Sequence, residues 1–130
     1  MRVLLLGQSG MLGHVVDRYL REQGHKVLLI EARYRRNENK EFVAALQDSE
    51  PEWCVNCAGI LPRRGACKED MDLVNAGLPR ELVEVLPAAC GLIHASSDGV
   101  FANDAGECPV DRQPNADDPY GRSRSPVNRR

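Results

Sequence analysis

The stretch Met1–Gly13 restricts this chain more than any other. Val3, Leu4, Leu5 and Leu6 form an apolar run. It is too short for a helix and suits a strand buried on both faces. Gly7, Gly10 and Gly13 follow at regular spacing, and apolar residues then recur at helical period: Met11, Leu12, Val15, Val16, Tyr19 and Leu20. Gly24 fits the C-terminal cap of that helix. A glycine turn between a buried strand and a helix N-terminus has a physical use. The first helical N–H groups lack partners and the helix dipole is positive there. A phosphate can sit on them where no side chain intervenes. The dipole is worth roughly 0.3–1 kcal/mol to such an anion, and each hydrogen bond to the charge roughly 1.5–3 kcal/mol. The spacing is neither Gly-x-Gly-x-x-Gly nor a P-loop, since no Gly-Lys-Ser/Thr follows.

With 130 residues the chain is one domain, and its net charge of -2 speaks against a general nucleic-acid binder. No stretch is long and apolar enough for a membrane span, and the short N-terminal run is a strand, not a signal peptide. The cysteine count is odd, at five, and the cysteines lie mostly in apolar segments. This implies reduced thiols and a cytoplasmic protein.

Further along, His25–Ile30 reads as a second strand closed by Glu31, with Arg33, Arg35 and Arg36 just beyond. In a dinucleotide fold an acid there holds the adenosine ribose, and a nearby arginine favours the 2′-phosphate of NADP. Both are present, so NAD or NADP remains open. Glu41–Gln47 reads as a short helix and Trp53–Cys57 as a third strand broken by Ala58-Gly59. Cys54 and Cys57 resemble a redox or zinc pair only in spacing. They lie in a strand, where residues three apart face opposite sides, and Cys67, Cys90 and Cys108 offer no paired spacing to complete a zinc site. No metal site is expected.

Lys68–Leu86 is mostly helical, with Pro79 expected to kink it or to start a second helix, and Gly91–Ala95 is a fourth strand. His14, His25 and His94 read as structural or exposed. Strands alternating with helices imply an α/β parallel sheet, expected in the order 3-2-1-4, with ligands at the carboxyl ends near the junction of strands one and four. The glycine turn, Glu31, Ala58-Gly59 and Ser96-Ser97 all fall at such ends.

After the fourth strand come Ser96-Ser97-Asp98-Gly99-Val100-Phe101 and, later, Tyr120-Gly121-Arg122-Ser123. With Gly7-x-x-Gly10-x-x-Gly13, Asn56-Cys57-Ala58-Gly59 and the mid-helix Asn75, this resembles the dTDP-4-dehydrorhamnose reductase (RmlD-like) branch of the extended short-chain dehydrogenases/reductases. The resemblance implies the amino-terminal half of a Rossmann-like fold over residues 1–123. It also implies reduction of a keto-sugar nucleotide by NAD or NADP. Tyr120 would protonate the carbonyl oxygen and Ser97 would hydrogen-bond it. The cofactor would meet Gly7, Ser9, Gly10, Met11, Leu12, Gly13, Glu31, Arg33, Cys57, Ala58, Gly59 and Asn75. Nucleic acid and membrane are not implied as partners, and a homodimer is left open.

Two departures stand out. The family's lysine, four residues after the tyrosine, is Arg124 here. Arginine keeps the charge but is planar and does not release its proton. In addition, residues 124–130 read as a basic, disordered tail with Pro126 breaking the expected helix. That suggests truncation, through a shift of reading frame, and weak or absent turnover. Two alternatives stay open: a non-catalytic NAD(P)-binding module, and a sugar-nucleotide epimerase or dehydratase.

Overall fold

The computed structural model describes residues 1–62, 66–102, 106–109 and 111–125. Arg63, Arg64 and the basic end from Pro126 onward lie outside the described residues. The elements in order are β1 (Arg2–Leu6), α1 (Met11–Glu22), β2 (Lys26–Leu28), α2 (Lys40–Asp48), β3 (Trp53–Asn56), α3 (Lys68–Met71), α4 (Leu78–Val85), β4 (Gly91–His94) and α5 (Pro119–Arg124). A π-helical segment, Asp72–Gly77, joins α3 to α4 in one continuous helix. Pro79, which has no N–H to donate, sits in the first turn of α4, so the proline begins the second helical part. Gly24, at φ +74°, ends α1 with its N–H on the Arg21 carbonyl, as its position after the last apolar residue suggested.

All strands are parallel, and their spatial order is β2-β1-β3-β4. This corrects the expected order 3-2-1-4: the third strand pairs with β1, from Val3↔Trp53 to Leu6↔Asn56, and not with β2. The physical reason lies in the two strands. Val3–Leu6 are all buried and need neighbours on both edges, whereas β2 is three residues long, with Lys26 exposed and Val27 and Leu28 half-buried. β2 is also shorter than the apolar run from His25 to Ile30 suggested, because β1 offers it partners only at Arg2, Val3 and Leu4.

Chain direction across the sheet reverses after β2, so right-handed crossovers put α1 on one face and α2 and α4 on the other. Leu4, Leu6, Phe42, Leu46, Cys54, Leu78 and Leu82 form the core of the α2/α4 face. The opposite face has α1 over Val3 and Leu5, while Ile93 further along is half exposed. The reversal also moves the junction where ligands collect: it falls between β1 and β3, not between strands one and four.

Candidate functional site

The β1–β3 junction is built from glycine. Gly7 has φ +80°, and a Cβ there would come within 2.6 Å of the Ala58 nitrogen. Only glycine allows this backbone to lie against the end of β3. Gly13 is buried at the start of α1, and its Cβ would sit 2.0 Å from the Gly7 carbonyl oxygen. Gly10 is the N-cap, gives its N–H to that same oxygen at 3.0 Å, and supplies no side-chain cap. No acidic residue occupies the first turn, and the side chains of Met11 and Leu12 point to solvent. The helix therefore presents its positive end without a side chain across it. These features suit an anionic group such as a diphosphate.

From that turn a cleft of about 830 Å³ runs toward the end of β2. Gly7, Ser9, Glu31, Arg33 and Ala58 line it, on a floor that includes Phe42, Val74 and Leu78. The volume lies within the roughly 300–1,000 Å³ of small-molecule sites. Tyr34 also lines it, a residue that stands among the arginines after β2. Its ring meets Phe42 edge-on, with centroids 5.4 Å apart, and burial leads Glu81 in raising its pKa. The signal for it was a single aromatic residue within a run of arginines. Glu31 and Arg33 also border a second hollow of about 640 Å³ with Arg35 and Lys40. Acid and base thus border the same hollow beyond the end of β2.

The far end of the crevice is built from side chains. Ser97, just after β4, accepts the Gly99 N–H at 3.1 Å and caps a 3₁₀ turn, Asp98–Val100. Asp118 caps α5 by accepting from the Tyr120 and Gly121 N–H groups at 2.9 and 3.0 Å. A Cβ on Gly99 would be 3.2 Å from Tyr120 Cε1 and 3.3 Å from Ser97 Oγ. The tyrosine ring and the serine hydroxyl therefore share one side of Gly99. Gly121 lets α5 approach so closely that its Cβ would lie 2.1 Å from the Gly99 oxygen.

Arg124 is the last residue of α5, so the helix extends one residue into the stretch read as a tail. Its Nη1 donates to the Ala95 carbonyl at 3.1 Å, and its Cζ lies 5.7 Å from the Tyr120 ring centroid. A Cβ on Gly59 would stand 1.8 Å from its Nη2. Beside it, His94 Nδ1 is 3.2 Å from Asn56 Nδ2. Burial first, and the Arg124 charge second, depress the His94 pKa below its ordinary value.

Asn75 ties the loop after β3 to α5 from behind. It is buried within the π-helical segment. Its Oδ1 accepts the Ile60 N–H at 2.8 Å, and its Nδ2 donates to the Ile60 carbonyl at 2.9 Å and to Ser123 Oγ at 3.0 Å. Ser123 Oγ in turn donates to the Tyr120 carbonyl at 2.7 Å. Asn75 thus touches the loop after β3 and the helix that carries the tyrosine, and does not line the cleft.

All five cysteines are free. Cys54 lies in the core, where burial pushes its thiol up to about 12, so it is not a redox nucleophile. Cys57 follows the end of β3 and is half-buried. Among the described residues no three His, Cys, Asp or Glu side chains gather as a metal group, and no helix is long and apolar enough to cross a membrane.

Comparison with known proteins bears on this geometry. The sequence profile of the NAD dependent epimerase/dehydratase family matches residues 3–128. Solved structures of similar fold include a dTDP-4-dehydrorhamnose reductase from Bacillus anthracis in complex with NADP. Its TM-score is 0.78 at 20% identity, over 95% of this chain and 46% of that one. A short-chain dehydrogenase/reductase superfamily protein from Agrobacterium tumefaciens with bound NAD matches at TM-score 0.76 and 22% identity, over 95% of this chain and 42% of that one. Helicobacter pylori ADP-L-glycero-D-manno-heptose-6-epimerase matches at 0.73 and 19%, over 95% and 47%. The chain therefore spans less than half the length of these structures. A comparison with curated proteins gave no match.

Proposed function

The chain belongs to the NAD dependent epimerase/dehydratase family, and from that membership we propose that it carries the cofactor-binding and acid–base half of a keto-sugar nucleotide reductase, similar to dTDP-4-dehydrorhamnose reductase. The observation that carries this reading is the convergence of the glycine turn, the end of β3 and the Ser97–Tyr120 pair along one row of strand ends. The site fits a nicotinamide dinucleotide: the α1 N-terminus is free of side-chain caps, and the adjoining cleft has the size for a nucleoside. Met11, Leu12 and Gly13 offer N–H groups to the diphosphate, with Gly7, Ser9 and Gly10 shaping the turn. Glu31 and Arg33, both lining the cleft, would meet the adenosine ribose, and the presence of acid and base together leaves both NAD and NADP acceptable. Cys57, Ala58 and Gly59 form the backbone past which the ligand would run. Asn75 is a positioning residue.

The bound dinucleotide supplies a hydride. Tyr120 gives its phenolic proton to the substrate oxygen, and Ser97 donates a hydrogen bond to the same oxygen. Arg124 holds positive charge beside the phenol ring, where the family pattern has lysine. The reading includes a cytoplasmic setting, in keeping with free cysteines.

Titration of the protein with NADPH and, separately, NADH, followed by cofactor fluorescence, tests the proposal. Saturable binding that Gly10→Trp abolishes is the expected result. A cooperatively folded protein that binds neither cofactor would overturn it. A second reading, cofactor binding without turnover, is favoured by Arg124 standing at the lysine position, and turnover of NADPH with a keto-sugar nucleotide would exclude it. An epimerase would bind cofactor with no net oxidation of NADPH.

A further inference from the structure

Arg124 occupies an unusual place for a cation. One guanidinium nitrogen bonds the Ala95 carbonyl, another presses on Gly59, and the group lies over the Tyr120 ring. Its Nε is buried with no partner. Among the described residues no carboxylate pairs with it; the ion pairs are made by Arg2, Arg18, Arg21 and Lys68. The charge is thus held between the ends of β3 and β4 by a single hydrogen bond and by packing.

A ligand with its diphosphate at the glycine turn and its adenosine in the cleft lies over β2 and β1. To reach Ser97 and Tyr120 it must continue past the ends of β3 and β4, across Gly59. Two strand spacings, from β1 to β4, make that traverse roughly 10 Å. Arg124 stands on it, just short of the tyrosine. Its fork is planar and rigid, so it cannot fold aside within its bond to Ala95 as a flexible ammonium could.

We infer that Arg124 is a latch across the catalytic end. In this conformation the chain takes the ADP-ribose part of a dinucleotide and leaves the nicotinamide part unseated. The nicotinamide part seats only when the guanidinium releases Ala95. The inference rests on the cofactor reading above and adds a regulation of the same site: affinity in the latched form comes from ADP-ribose, or from its 2′-phosphate.

Calorimetric titration of the full chain tests this, with ADP-ribose against NADH and 2′-phospho-ADP-ribose against NADPH. In the unsubstituted protein each pair binds within about threefold of one another. Arg124→Ala and Arg124→Lys each tighten the dinucleotide by about tenfold and leave its ADP-ribose counterpart within about threefold. Arg124→Lys keeps the charge, so it remains informative where the alanine variant is too unstable to measure. A dinucleotide already about tenfold tighter than its counterpart in the unsubstituted protein, or an unchanged ratio in both variants, overturns the latch while the cofactor reading stands. No binding of any of the four ligands by folded protein overturns the cofactor reading, and the latch with it.

Discussion

At the β1 end of the crevice, position is enforced by backbone against backbone. Gly7 meets Ala58, and Gly13 meets Gly7, with no room for a methyl group at either contact. At the β4 end, Asp118 caps the helix, Ser97 caps the turn, Asn75 bridges Ile60 to Ser123, and Arg124 bonds Ala95. An anion site made of N–H groups needs absence, the removal of side chains from a helix end. An acid–base site needs presence, side chains held at fixed separation. The first is therefore sensitive to added atoms and the second to removed ones.

Gly13→Val gives the largest effect. Its Cβ would sit 2.0 Å from a backbone oxygen that has no free rotamer to yield. The expected loss is about 3 kcal/mol or more, or a fall of roughly 10 °C in Tm for a domain of this size. Gly10→Ala is the matched control: its Cβ would stand 3.3 Å from the Gly7 oxygen, and the expected cost is under about 1 kcal/mol. Thermal melts of the two variants check the contrast. Equal losses would mean that the turn is not held by close backbone contact.

The part of the fold legible in the sequence was the part written in local pattern. The Val3–Leu6 run, the helical period after Gly10 and the glycine at position 24 each follow from neighbours a few residues away. The strand order was not legible, because an apolar run reports burial on both faces without saying which edge takes which partner. The place of Tyr34 in the cleft was hidden for a related reason, and so were the partners of Asn75, which entered only through resemblance. Nothing local distinguishes an asparagine that clamps two loops from one that touches a ligand. Its meaning comes from Ile60 and Ser123, 15 and 48 residues away. The Ser97–Tyr120 pairing was legible only through resemblance, since 22 residues of sequence separate the two.

Asn75→Ala probes the opposite end of the comparison. It strips partners from the Ile60 N–H and carbonyl and from the Ser123 hydroxyl. The expected loss is about 2–3 kcal/mol, because buried groups are left unpaired. The glycine turn makes none of these bonds, so ADP-ribose affinity should hold within about threefold. Hydrogen exchange at the Ile60 amide should accelerate alongside the loss of stability. Intact protection at Ile60 would show that Asn75 is not the clamp, and a collapse of ADP-ribose binding would show that the two ends are one cooperative unit.

The smallest expected effect is protonic and belongs to the β4 end alone. His94 is half-buried beside Arg124, with its Nδ1 turned to the Asn56 amide. Both burial and the neighbouring charge favour the neutral ring, so the folded protein binds its proton less readily than the unfolded chain, whose histidine titrates near 6.5. Where the unfolded state holds more protons, stability rises with pH. The contribution is therefore complete above about pH 6.5 and is lost as the pH falls through the lower, folded value. Urea midpoints measured between pH 7 and 5 should fall more steeply for the unsubstituted protein than for His94→Gln. Parallel slopes for the two would remove His94 from the account of the β4 end.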